Sequence, residues 1–149
     1  MQPPVHGNID QSALGRKNDY LYRVSLKGMV FNNQGEVLVV KETGRDWWDL
    51  PGGGMDHEES LKAAIARELK EEVELEGEFT YCVVAVDDPI YLPNANVWQV
   101  RLIFEVTAEN MKFSPGEDGD EIAFKHPAEF KHSSNFAERK IFDYYSAIS

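Results

Sequence analysis

The stretch Gly53–Leu75, GGMDHEESLKAAIARELKEEVEL, decides how the rest of the chain is read. Laid on a helix at about 100° per residue, Leu61, Ala64, Ile65, Leu69 and Val73 form one apolar stripe, as a core-facing helix requires. Glu68 and Glu72 fall inside that stripe on either side of Leu61, and Glu71 flanks it at the Ala64 edge. A buried carboxylate without a partner is costly, and neutralising two of them by protonation near pH 7 takes large pKa shifts. A divalent cation resolves the conflict, because Mg²⁺ and its relatives take oxygen ligands. The i, i+3, i+4 spacing of Glu68, Glu71 and Glu72 lets all three converge on one point.

Gly52-Gly53-Gly54 precedes the helix. Glycines let backbone approach a ligand closely and leave carbonyls such as that of Gly52 free to join a metal shell. Two helix starts are open. Starting at Asp56, Glu59 completes a capping box; starting at Ser60, Glu59 is free to brace Arg67 or a metal-bound water.

Working outward, Leu21–Phe31 alternates as a half-buried strand, Asn32–Gly35 is a turn, and Glu36–Lys41 returns as the second strand of an expected hairpin. Trp47–Leu50 reads as a short strand ending at Pro51. Glu78–Val86 and Val97–Val106 are further strands, the latter with Trp98, Val100, Leu102, Phe104 and Val106 on one face. Asn110–Asp120, with Pro115, Gly116 and Gly119, is expected to be an exposed, mobile loop. Glu121–Lys125 is a short strand closed by His126-Pro127. A second helix starts with Asn135 as cap, its core stripe Ala137, Ile141, Tyr145 and Ile148.

With 149 residues, 42% hydrophobic and 28% charged, the chain suits one domain over residues 19–149 behind a loose arm over 1–18. No run of 18 apolar residues and no basic-then-apolar leader is present, so a cytoplasmic protein without a membrane span is expected. A net charge of −11 disfavours nonspecific nucleic-acid binding. The single cysteine, Cys82, reads as a small core residue.

The quoted stretch resembles the Nudix hydrolase signature, G-x5-E-x7-R-E-U-x-E-E-x-G-U, with U a bulky aliphatic residue. Gly53, Glu59, Arg67, Glu68, Leu69, Glu71, Glu72 and Leu75 fall on it, and Glu74 alone departs, where the family has a helix-closing glycine. The resemblance implies an α/β (α+β) fold, an α-β-α sandwich around a mixed sheet, and a MutT-like hydrolase that uses Mg²⁺ or Mn²⁺. It makes Glu68 and Glu72 metal ligands, and Glu71 either a third ligand or the base that deprotonates water. Arg67 then orients a glutamate by a bidentate contact. A late-chain catalytic glutamate falls to Glu117 or Glu121.

Substrate contacts lie outside the signature. Arg23 and Lys41 are basic groups near the site that can meet phosphates, Trp48 (or Trp47) can stack on a base, and Gly53 admits a ligand close to backbone. Lys27 is a third such basic group, and each of these residues has a bland alternative, a solvated face for the basic ones and a core-packed side chain for the tryptophans. The expected reaction is cleavage of the pyrophosphate bond of a nucleoside diphosphate linked to another moiety: a nucleoside triphosphate, a nucleotide sugar, ADP-ribose or a dinucleoside polyphosphate. The partner is then a small nucleotide, with the protein a monomer or homodimer. The alternative is a non-catalytic nucleotide-binding regulatory module on the same fold.

Overall fold

The computed structural model describes residues 20–148, so the arm over residues 1–18 lies outside the described residues. Seven strands and two α-helices follow in the order β1 (Tyr22–Met29), β2 (Val37–Glu42), β3 (Gly52–Gly54), α1 (Leu61–Val73), β4 (Phe79–Val86), β5 (Ile90–Leu92), β6 (Val97–Ala108), β7 (Gly119–Lys125) and α2 (Phe136–Ile148). Strand β1 runs antiparallel to β3, with Leu26 opposite Gly53, and parallel to β6, with Leu26 opposite Leu102. Strand β6 pairs antiparallel with β4 and, at its start, with β5, giving a mixed sheet in the order β3-β1-β6-β4. Strands β2 and β7 form a second, two-stranded antiparallel sheet.

Consecutive strand residues point to opposite faces, so one strand can supply two cores. In β6, Phe104 and Val106 pack with Ile65, Leu69 and Val73 of α1, while Ile103 packs with Ile141 and Tyr144 of α2. In β2, Leu38 and Val40 face the first cluster and Val37 and Val39 the second. Each fully buried aliphatic side chain contributes about 1.5–3 kcal/mol of transfer free energy, which makes the two helix-on-sheet contacts the main stabilising term. The α-β-α sandwich read from the sequence is the observed architecture.

Several local expectations are corrected. The Asn32–Gly35 turn forms, with Gly35 N–H donating to the Asn32 carbonyl at 3.1 Å, but β1 and β2 do not continue as a hairpin. They meet only near the turn, through Leu38 N–H to the Val30 carbonyl at 2.9 Å and the Phe31–Val37 bridge, then diverge into separate sheets. Trp47–Leu50 contributes a single bridge, Val40–Asp49, and the strand is built instead from the three glycines. Strand β4 is an edge strand, so Cys82 and Val83 are exposed rather than core. Trp98 stands 49% exposed at the start of β6, where the core begins only at Ile103, and Leu61 is 37% exposed at the first turn of α1, where it begins at Ala64. On α2 the buried pair is Ile141 and Tyr144. Among the described residues no helix is long and apolar enough to cross a membrane.

Candidate active site

Helix α1 starts where Ser60 caps it, the Ser60 hydroxyl accepting from Ala63 N–H at 3.1 Å. Glu59 therefore lies outside the helix, and its carboxylate does two jobs. Oε1 accepts from Asp56 N–H at 2.8 Å, and the two oxygens take Arg67 bidentately, Nε at 2.7 Å and Nη2 at 2.8 Å. Arg67 also donates to Glu68 Oε1 at 2.9 Å, to the Gly54 carbonyl at 3.1 Å and, at 3.5 Å, to Glu71 Oε2. The hydrogen bonds that Arg67 donates to Glu59 raise the Arg67 pKa, and the same contact holds the Glu59 carboxyl below its usual range. A planar five-donor guanidinium suits such a hub, and a lysine would not replace it.

Glu68 lies over Gly53: a Cβ on that residue would come within 2.8 Å of Glu68 Oε2, so a larger residue there would push the carboxylate aside. Glu72 is 3% exposed, and its Oε2 accepts from Gly52 N–H at 2.8 Å. Glu72 Oε1 is, among the described residues, a buried polar atom with no hydrogen-bond partner. Desolvation, with the charges of Glu42 and Glu68, pushes the Glu72 carboxyl up to about 9 against the pull of Lys27 and Gly52 N–H. Burial likewise raises Glu68. Glu71 sits at the rim and is more exposed.

These acidic side chains are gathered at the glycine strand, not splayed into solvent. Arg67 nonetheless holds Glu68 and Glu59, and among the described residues no three acidic, imidazole or thiol groups come together as a ready ligand set. The donor set still fits a hard cation: oxygen-only ligands, two of them on one helix face, one with a bare buried oxygen.

Behind Glu72 lies a group that the alternation pattern assigned to solvent. Lys27 is 5% exposed, and its Nζ stands 3.1 Å from the Leu50 and Gly52 carbonyls, 3.2 Å from Asp49 Oδ2 and 3.3 Å from Glu42 Oε1. Burial works against its charge, but Asp49, Glu42 and Glu72 more than offset that, so its pKa is raised. The Gly52 carbonyl, expected to be free for a metal, is thus taken by Lys27. The missed signal was the Lys27–Phe31 run KGMVF, too apolar for a half-buried strand, which marks β1 as covered on both faces. Asp49 also stands beside Arg101, which hydrogen-bonds Tyr144; the Tyr144 hydroxyl bonds Asp87, and Asp87 pairs with Lys140 at 3.0 Å. That chain of alternating charge ends in a cleft of about 290 Å³ lined by Asp87, Asp88, Gln99, Arg101, Phe136 and Lys140 among others. Nothing in the linear spacing of these residues revealed it.

The loop between β6 and β7 is exposed as expected, but it is tied down. Ser114, Gly116 and Asp118 N–H groups donate to the Val73, Glu72 and Glu71 carbonyls at 3.2, 3.0 and 2.8 Å, which ties the loop to the end of α1. A helix end leaves its last carbonyls unpaired, and here the loop pairs them. A Cβ on Gly116 would lie 2.3 Å from the Glu71 carbonyl oxygen, so a glycine allows this approach.

The remaining expected residues fall in two places. Glu117 lines a groove of about 340 Å³ with Arg67, Lys70, Glu71 and Glu74. Glu121 does not join them: it pairs with Lys41 at 3.4 Å, and the Lys41 ammonium lies 4.8 Å over the Trp48 ring. Trp48 packs against the α2-side core with Lys125 also over it, so its face is covered. Arg23 is exposed on β1, near Gly54. The Glu74 position is left-handed, φ 55° and ψ 42°, and its N–H reaches the Leu69 and Lys70 carbonyls, so α1 closes where the signature closes it and does not extend to Gly77.

A mixed sheet between two helices, with a glycine strand set against a carboxylate-bearing helix, defines the Nudix class. A family model described as the NUDIX domain matches residues 21–145. The chain belongs to that family. An RNA pyrophosphohydrolase of Hahella chejuensis is 44% identical over 57 residues, 38% of this chain and 35% of that protein. The chain thus spans about a third of the length of the curated relatives it matches. Among solved structures, a MutT protein from Methanosarcina mazei superposes with a TM-score of 0.71 at 19% identity, covering 87% of this chain and 96% of that one. The NUDIX domain of Shewanella oneidensis NrtR, complexed with ADP ribose, does so with a TM-score of 0.66 at 15% identity, covering 93% and 97%.

Proposed function

We propose that this protein is a divalent-metal-dependent hydrolase that cleaves the pyrophosphate bond of a nucleoside diphosphate linked to another moiety, in the cytoplasm. One observation carries the reading: Glu72 is pinned by Gly52 N–H with its second oxygen buried and bare, beside Glu68 over Gly53. Glu68 and Glu72 would hold Mg²⁺ or Mn²⁺, with Glu71 at the rim as third ligand or base. When bound, such an ion neutralises phosphate charge and lowers the pKa of a coordinated water.

The chain's own groups supply the rest. Arg67, braced by Glu59, fixes the Glu68 rotamer and steadies Glu71, an orienting role. Glu117, across the groove from Glu71, is better placed than Glu121 to take or give a proton. Arg23 is exposed for a phosphate contact. The cleft at Gln99, Arg101 and Phe136 offers amide, cationic and aromatic groups for a nucleoside or leaving group, a role that suits it better than the covered Trp48.

A net charge of −11 disfavours a long polyanion, which leaves small nucleotides such as a nucleoside triphosphate, a nucleotide sugar or ADP-ribose as the first substrate class. The name of the relatives, RNA pyrophosphohydrolase, favours RNA as a second substrate class. Purified protein with Mg²⁺ is assayed against nucleoside triphosphates, ADP-ribose, nucleotide sugars, dinucleoside polyphosphates and a 5′-triphosphorylated RNA oligonucleotide. Partners of metal ligands are typically worth about 10–100-fold, so Glu72→Gln, which alters a ligand itself, is expected to lower turnover by at least ~100-fold with the fold intact. Unchanged turnover rejects the assignment.

A further inference from the structure

A buried lysine on a strand one layer behind an acidic site calls for a reason, since an aliphatic residue at that position would avoid the cost of burying a charge. Four oxygens surround the Lys27 ammonium, which has only three protons, and two of those oxygens belong to carboxylates on separate elements, Glu42 of β2 and Asp49 before β3. Without that cation, Glu42, Asp49 and Glu72 would lie together as one uncompensated acidic cluster, with Glu68 beside Glu72. A divalent ion would then have a choice of carboxylates, including ones remote from the Arg67 side where Glu68 and Glu71 are held.

We infer that Lys27 is a positioning residue that closes the inner side of the acidic cluster, occupying Glu42, Asp49 and the Gly52 carbonyl so that a divalent ion is confined to the α1 carboxylates. It acts through two contacts. Its charge neutralises the two inner carboxylates. Its hydrogen bonds to the Leu50 and Gly52 carbonyls hold the backbone on both sides of the Pro51–Gly52 peptide, whose N–H holds Glu72. This inference rests on the proposed metal-dependent activity and adds to it the residue that decides where the ion sits.

The test uses Mn²⁺, followed by its electron paramagnetic resonance without substrate, together with turnover of the best substrate in Mg²⁺. Lys27→Gln keeps two N–H donors for the carbonyls and loses the charge; Lys27→Met loses both. With a repelling charge removed and two carboxylates released, both variants are expected to bind Mn²⁺ several-fold more tightly, or with a second ion, while kcat falls at least tenfold. Loss of packing alone would weaken binding and turnover together, so that parallel loss overturns the inference, as do wild-type values of both. Should the variants not fold, the ¹³Cε resonance of Lys27 in the wild-type chain decides: it shifts on Mg²⁺ titration if Lys27 bounds the site, and stays put if it does not. A wild-type protein whose Mn²⁺ binding is insensitive to Glu72→Gln would instead undo the proposed function.

Discussion

At the residue scale, Glu72 is the group around which the energetics turn. An ionised carboxylate here is desolvated, faces Glu42 and Glu68, and has one oxygen with no partner. Its folded pKa of about 9 stands above its ordinary value of 4.5, so across that window the folded chain holds a proton that the unfolded chain releases. Stability then falls as pH rises, because the unfolded state binds fewer protons. In EDTA, the urea midpoint is expected to drop between pH 5.5 and 8.5, and Glu72→Gln flattens that slope; an unaltered slope in the variant contradicts the assignment. Glu74 makes the complementary point about backbone. A side chain in the left-handed region costs about 1–2 kcal/mol, partly offset by the greater unfolded-state freedom of glycine. Glu74→Gly is therefore expected to raise the unfolding free energy by about 0.5–1 kcal/mol in urea titrations.

At the element scale, α1 is held from outside its own hydrogen-bond ladder. Arg67 ties its middle to Glu59 and Gly54 at the entrance, and the β6–β7 loop takes up the carbonyls of its last turn. Gly116→Ala puts a Cβ 2.3 Å from the Glu71 carbonyl oxygen, so the loop must move off the helix. Losing those contacts is expected to cost about 2 kcal/mol or more and to raise hydrogen exchange at Ser114, Gly116 and Asp118. Exchange protected as in the wild type would mean that the loop does not hold the helix end. Arg67→Lys is expected to fold but to lose turnover by about 10–100-fold, since the two-pronged grip on Glu59 has no lysine equivalent. The measurement is kcat with Mg²⁺ at saturating substrate.

At the scale of the whole molecule, β6 joins the two helix-on-sheet cores through adjacent residues, Ile103 on one face and Phe104 on the other. Neither core can open without disturbing the strand they share. Unfolding is expected to be a single transition, with tryptophan fluorescence, weighted by Trp48 on the α2 side, coinciding with far-ultraviolet circular dichroism. Leu69→Ala, on the α1 side, is expected to cost about 2–5 kcal/mol and to shift both signals together. A fluorescence transition left in place would show two independent units.

What was legible along the chain was whatever local periodicity and spacing encode. Glu68, Glu71 and Glu72 at i, i+3, i+4 behind a triple glycine identified the helix, its buried acids and the family, and the strand segments followed from alternation. The failures have one cause: pairing partners and the number of covered faces are properties of assembly. The β1–β2 turn is local and forms, but which strand each then joins depends on β6 and β7, far along the chain. Lys27 looked solvated because a half-buried strand has one wet side, and β1 has none. Its partners Glu42 and Asp49 lie 15 and 22 residues away, and only folding sets those carboxylates around one ammonium behind the carboxylate-bearing helix. The composition of the site was thus written in the sequence; its inner boundary was decided by the tertiary structure, because burial of a charge depends on what packs against it from both sides.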